Sequence, residues 1–171
     1  MTTRATDVST IAERLRTAMA QVPTAVSVIT TQSGGSPHGT TVSAFMSLSI
    51  DPPMMLVSLD NASSFLTKID HGALIGINVL TDQQSGIAAQ FARKTKNMQN
   101  LAASWEMDGN RPPYIPGSLA WITFTVTTLV PAGDHTLVIG VVDEAEARIG
   151  EPLVYWQRRY GSLTDAGRFH T

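Results

Sequence analysis

The sequence predicts a mainly β protein, a single antiparallel barrel with a few flanking helices. Three observations carry this. Six or seven segments rich in β-branched and aromatic residues follow one another, joined mostly by short turns containing Gly, Pro or Asp. Helical stretches do not alternate regularly with them, which disfavours a doubly wound parallel sheet. The chain has 171 residues, of which 43% are apolar and 15% charged, a balance that suits one domain around one core.

The elements follow in order. Residues 1–8 are polar and expected to be a flexible start, with residues 9–171 forming the domain. Thr10 and Glu13 have the spacing of a capping box, and Ile11, Leu15, Ala18 and Val22 recur as one apolar stripe of a helix that Pro23 ends. Residues 25–31 read as a strand and Gly34-Gly35 as a hairpin turn. Residues 38–45 read as the returning strand, continuing toward Ile50 until Asp51-Pro52-Pro53 breaks it. Residues 54–59 form the next strand. Residues 63–69 suggest a short helix capped by Asn61, Ser63 or Ser64. Residues 73–80 are again a strand, and Asp82 can cap a helix reaching about Ala92. Residues 93–117 carry Gly109, Pro112, Pro113, Pro116 and Gly117 and read as an irregular loop, long enough to suggest a function. Two long strands, 119–130 and 135–148, flank the turn Pro131-Ala132-Gly133-Asp134. Residues 153–156 make a last short strand.

Composition excludes several classes. The formal net charge is -2, and the nearest basic run, Arg93, Lys94 and Lys96, is too short for a nucleic-acid surface. The absence of cysteine removes disulfides, thiolate catalysis and thiolate-bound metals. No apolar run approaches bilayer length and no signal pattern opens the chain, so a cytoplasmic protein without a membrane partner is expected. The histidines, His38, His71, His135 and His170, are not at zinc-pair spacing, and no metal is expected. No G-x-S-x-G elbow marks a serine nucleophile. No G-x-G-x-x-G follows a strand, so any dinucleotide would be held without the Rossmann device. What remains is a borrowed cofactor or no catalysis. The low charge fraction also suggests that part of the surface is covered in an oligomer.

Two segments could carry chemistry. The stretch from His38 through Gly39-Thr40-Thr41-Val42-Ser43-Ala44 to Asp51-Pro52-Pro53 sets hydroxyls and small residues along an extended chain. It is either a solvated Thr/Ser-rich face or a polar edge against which a flat ring can lie. In Gly133-Asp134-His135, an acid and an imidazole sit at a turn before an apolar strand. Adjacent strand residues point to opposite faces, so they are either a turn aspartate with a packed histidine or part of a site.

Together with Thr24-Ala25-Val26-Ser27-Val28-Ile29-Thr30-Thr31, Asn78-Val79-Leu80, Phe91 and Pro152-Leu153-Val154-Tyr155, these segments resemble the short-chain flavin reductases. That family has the FMN-binding split-barrel fold, a Greek-key antiparallel barrel, and serves as the reductase component of two-component flavin-dependent monooxygenases. The resemblance spans about residues 23–163. It implies hydride transfer from NADH, or less readily NADPH, to FAD or FMN, a homodimer, and a monooxygenase receiving the reduced flavin. A non-enzymatic flavin-binding protein, an electron carrier or a haem-binding relative are the alternatives on this fold.

The resemblance also implies residues. Thr41, Ser43 and Ala44 would lie along the isoalloxazine ring. Ser58, Leu59 and Asp60 would border the ribityl chain, and Ser63 and Ser64 would hold phosphate. For those two serines a helix N-terminus would add its own attraction for an anion. Asn78 and Leu80 would line the flavin from a neighbouring strand. Ser85, Phe91, Arg93 and Lys94 would close the phosphate or adenine side. His135 would contact the nicotinamide, with Tyr160 as a second candidate there.

Overall fold

The computed structural model describes residues 3–94, 101 and 103–163, with residues 3–9 given by backbone alone. Lys96 and His170, both named above, lie outside the described residues. The first helix, α1, spans Thr3–Met19. It begins upstream of Thr10, so the capping role expected for Thr10 is not made. The Arg4-Ala5 pair favours helix, and the propensity cost of the neighbouring Thr and Ser residues is only a few tenths of a kcal/mol each, about what a helix tolerates without ending. The expected stripe is helical only as far as Ala18, since the helix ends at Met19 before Val22, and it is not covered: Ile11, Leu15, Ala18 and Val22 are all exposed.

Seven antiparallel strands form the main sheet. β2 (Ser27–Ser33) and β3 (Ser36–Val42) are a hairpin turned by Gly34 and Gly35, both at positive φ as a tight two-residue turn requires. β4 (Phe45–Ile50) and β5 (Pro53–Asp60) are a second hairpin. The single strand expected over 38–50 is therefore two. β2 starts at Ser27 opposite Val42, so a longer β3 would have no partner, and the chain turns at Ser43-Ala44 instead. β6 (Leu74–Val79), β7 (Ala120–Ala132) and β8 (His135–Ala147) complete the order β3-β2-β6-β7-β8-β5-β4. The run β6-β7-β8-β5 is a Greek-key arrangement. The two edge strands, β3 and β4, are consecutive in the chain and joined by only Ser43 and Ala44. The sheet must curl until its edges meet at that corner, and no ladder joins them, which makes a split barrel.

A smaller sheet lies beside it: β1 (Thr24–Ala25), β9 (Val154–Trp156) and β10 (Arg159–Gly161), with β9 in the middle. β10 was not expected. Its turn is Gln157-Arg158, at φ 48° and 63°, and neither residue type signals a left-handed backbone.

β2 separates two cores. Inside the barrel Ile29 packs with Val57, Ile75, Ile77, Phe124 and Val126. Outside it, Val26 and Val28 pack with Leu80, Phe91, Trp105, Ile115 and Leu153. The outer core is covered by α2 (Ser85–Phe91) and by the long loop before β7. Asp82 does not cap this helix: it opens a 3-10 turn, Asp82–Gln84, which Thr81 caps as Thr81 and Gln84 satisfy each other's backbone N–H groups, and α2 follows with Gln84 at its N-cap. The helix expected over 63–69 is only a 3-10 turn, Leu66–Lys68, after Phe65. Ser63 Oγ accepts the Phe65 N–H at 3.3 Å, a local turn bond, so the helix-terminus argument for an anion at Ser63 and Ser64 falls away.

Candidate functional site

At the corner where the sheet edges meet there is a cleft of about 440 Å3. Four separate stretches of chain line it. The corner gives residues 40–44, the end of β5 and the turn after it give residues 58–60 and 62–64, the exit of α2 gives Ala92, Arg93 and Lys94, and the start of β8 gives His135. Of the residues singled out from sequence, Thr41, Ser43, Ala44, Ser58, Leu59, Asp60, Ser63, Ser64, Arg93, Lys94 and His135 are brought together here. Thr40, Val42, Ala62 and Ala92 also line the cleft and were not singled out. Each is a chain neighbour of a named residue, and Thr40 and Val42 lie within the Thr/Ser-rich stretch noted in the sequence.

Hydrogen bonding decides what each group can offer. Thr41 Oγ1 donates to the Ala88 carbonyl at 2.7 Å, so its hydroxyl faces α2. Leu59 is 3% exposed and its side chain belongs to the barrel core. Asp60 Oδ1 accepts the Ala62 N–H at 2.7 Å and shapes the serine turn. Asp60 also stands directly opposite His135 in the β5–β8 ladder. Asn61 ties that turn to the next one: its N–H donates to the Asp134 carbonyl at 2.9 Å, and its Oδ1 accepts the Thr136 hydroxyl at 2.8 Å.

His135 is half-exposed and its Nδ1 lies 2.7 Å from Asp134 Oδ1. A carboxylate only accepts, so Nδ1 carries the proton of this bond and Nε2 is the ring's second polar atom. The hydrogen bond from His135, with the charge of that ring, holds the Asp134 carboxyl below its ordinary range. The pair expected to point apart thus meets through the side chains, because the turn at Gly133 (φ 66°) lets Asp134 fold back over its neighbour.

Five residues are placed elsewhere. Asn78 is fully buried; it donates to the Val28 carbonyl at 3.1 Å and accepts the Ile115 N–H at 2.8 Å, which anchors the long loop to β6. Leu80 and Phe91 are fully buried in the outer core. Ser85 opens α2 and does not line the cleft. Tyr160 packs on Tyr155 with ring centroids 5.5 Å apart in the small sheet, where burial raises its hydroxyl pKa. Among the described residues, no cluster of His, Cys, Asp or Glu could hold a metal ion.

The cleft therefore brings together hydroxyls, two cations and an oriented imidazole along an extended polar stretch of chain. Such a barrel suits a flat polar ligand carrying an anionic tail, and its volume is within the roughly 300–1,000 Å3 usual for small-molecule sites. Residues 19–164 match the family described as flavin reductase like domain, and the chain belongs to that family. An NADH-dependent flavin reductase of Rhodococcus sp is 33% identical over 157 residues, covering 90% of this chain and 88% of that one. The reductase component of a 4-hydroxyphenylacetate 3-monooxygenase from Thermus thermophilus is 30% identical over 152 residues, covering 88% of this chain and 96% of that one. The solved structure of the flavin reductase PheA2 superimposes with a TM-score of 0.80 at 34% identity, covering 89% of this chain and 97% of that one.

Proposed function

We propose that this protein is an NADH-dependent flavin reductase that transfers hydride to FMN or FAD and supplies the reduced flavin to a flavin-dependent monooxygenase. The observation that carries this is the convergence of Ser63, Ser64, Arg93, Lys94 and His135 on one cleft of a chain in the flavin reductase family. The donor set fits a flavin: hydroxyls and cations suit a phosphate, and the backbone of residues 41–44 suits the edge of a planar ring. When bound, the flavin and the nicotinamide supply the redox chemistry themselves, as acceptor and donor of hydride.

The chain's own part is placement. Ser63 and Ser64 hold the tail through their hydroxyls, and Arg93 and Lys94 neutralise it. The extended corner at Ser43-Ala44 presents backbone groups to the ring's polar edge. His135, oriented by Asp134, positions the nicotinamide over the flavin. Correct stacking of two reactants supplies a large part of such a barrier, several kcal/mol by effective-molarity arguments. NADH oxidation by the purified protein with FMN or FAD tests the reading. Turnover that requires added flavin supports it, whereas flavin binding without NADH oxidation points to the carrier alternative.

A homodimer in the cytoplasm completes the proposal. The apolar stripe of α1 and the outward face of β4, with Met46, Leu48 and Ile50, are exposed in the single chain and need a cover. The chain lacks cysteine, as suits a reducing compartment. No helix among the described residues is long and apolar enough to cross a membrane.

A further inference from the structure

We propose that Thr41 is a positioning residue for the anion-binding end of the cleft, acting through α2 on Arg93 and Lys94. This rests on the phosphate role given above to those two cations.

Among the described residues, no ion pair or side-chain hydrogen bond holds Arg93 or Lys94. Their charges are therefore aimed by the backbone they leave from, which follows directly on the last turn of α2. β3 fixes that turn at two points. Gly39 and Thr41 pair with Thr30 and Val28 of β2, and both face the helix. At Gly39 the strand comes so close that an added Cβ would lie 2.8 Å from the Phe91 ring and 3.1 Å from Trp105. Only a glycine lets Phe91 bury completely there. Two residues on, the Thr41 hydroxyl donates to the Ala88 carbonyl at 2.7 Å, and the same oxygen accepts the Ala92 N–H at 3.0 Å. Ala88 is fully buried, and Ala92 is the first residue of the cleft's cationic side. One hydroxyl thus ties the strand at the flavin corner to the carbonyl that closes the helix just before Arg93. The Thr41 hydroxyl is turned to α2, so its side chain governs where the tail's charge is met.

The test compares full-length wild type, Thr41→Val and Thr41→Ser for binding of FMN and of riboflavin by flavin fluorescence. Valine keeps the shape and removes the donor, while serine keeps the donor. Wild type should prefer FMN. Thr41→Val should lose roughly three- to tenfold of its FMN affinity, the scale of one hydrogen bond, and leave riboflavin within about twofold. Thr41→Ser should retain the wild-type preference. If Thr41→Val does not fold, Thr41→Ala replaces it, since it also removes the donor. An FMN preference that survives loss of the hydroxyl overturns the proposal, as does an equal loss for both flavins, which would mark a merely structural residue. Equal binding of the two flavins by wild type would instead reject the phosphate reading itself, and Thr41's role with it.

Discussion

His135 is where geometry makes the sharpest demand on a single side chain. Asp134 holds the ring's tautomer and direction through its bond to Nδ1. His135→Ala should therefore lower kcat/KM for NADH by about ten- to a hundredfold, the worth of one or two hydrogen bonds, while flavin affinity changes little. Steady-state kinetics beside a flavin titration checks this; unchanged NADH kinetics in a folded variant would send the role elsewhere. Residue by residue, most of the surface positions that the family motifs point to gather at the cleft, whereas Asn78, Leu80 and Phe91, which are fully buried, do not line it. Asn78 is one of these. The resemblance implies a flavin-lining role, yet its amide meets the backbone of residues 28 and 115, and residue 115 is brought there only by the folding of a distant loop.

At the scale of elements, most strands were legible because hydrophobic alternation and turn residues agree. Gly34-Gly35, Asp51-Pro52-Pro53 and the turn at Gly133 each sit between strands that pair. The failures have physical reasons. The alternation runs unbroken through Ser43-Ala44, so β3 and β4 looked like one strand; the break is set by where β2 ends. The β9–β10 turn uses Gln157 and Arg158, which carry no turn signal. Within the ladder, Gly140 lies opposite the irregular stretch of β7, where pairing shifts between Val126 and Thr128. A Cβ at Gly140 would collide with the Thr125 carbonyl and the Phe124 ring. Gly140→Ala should cost about 1–3 kcal/mol through overpacking, read as a lower denaturant midpoint at unchanged slope. A variant as stable as wild type would mean that β7 yields more easily than its buried neighbours imply.

For the whole molecule, the strand pattern predicts an antiparallel barrel, whereas its split and the gathering of the site residues were implied by the family resemblance alone. Spacing cannot tell that residues 43, 63, 93 and 135 converge, since that follows from the curl of the sheet. The stripe of α1 and the face of β4 are left uncovered, with Ile11 56%, Leu15 60% and Ile50 82% exposed. Light scattering should give twice the monomer mass at micromolar concentration. Ile11→Glu with Leu15→Glu should shift that mass down without unfolding the barrel, because neither residue belongs to either core. A monomeric wild type would leave those apolar faces without a cover.

The gap between β3 and β4 also sets how the molecule moves. A closed barrel has every edge paired, but here the two edge strands are joined by the two-residue link Ser43-Ala44, with no ladder between them. Opening along that seam breaks no ladder, so it is the least costly large distortion the barrel has. The cleft lies on the seam, and its occupant would act as the missing rungs. Amide exchange should therefore be fastest at residues 43–44 and along the free edges of β3 and β4 in the empty protein. Added flavin should slow those amides far more than amides of β6 and β7. A uniform slowing across the sheet would mean that the barrel breathes as one body and that its split is a feature of shape alone.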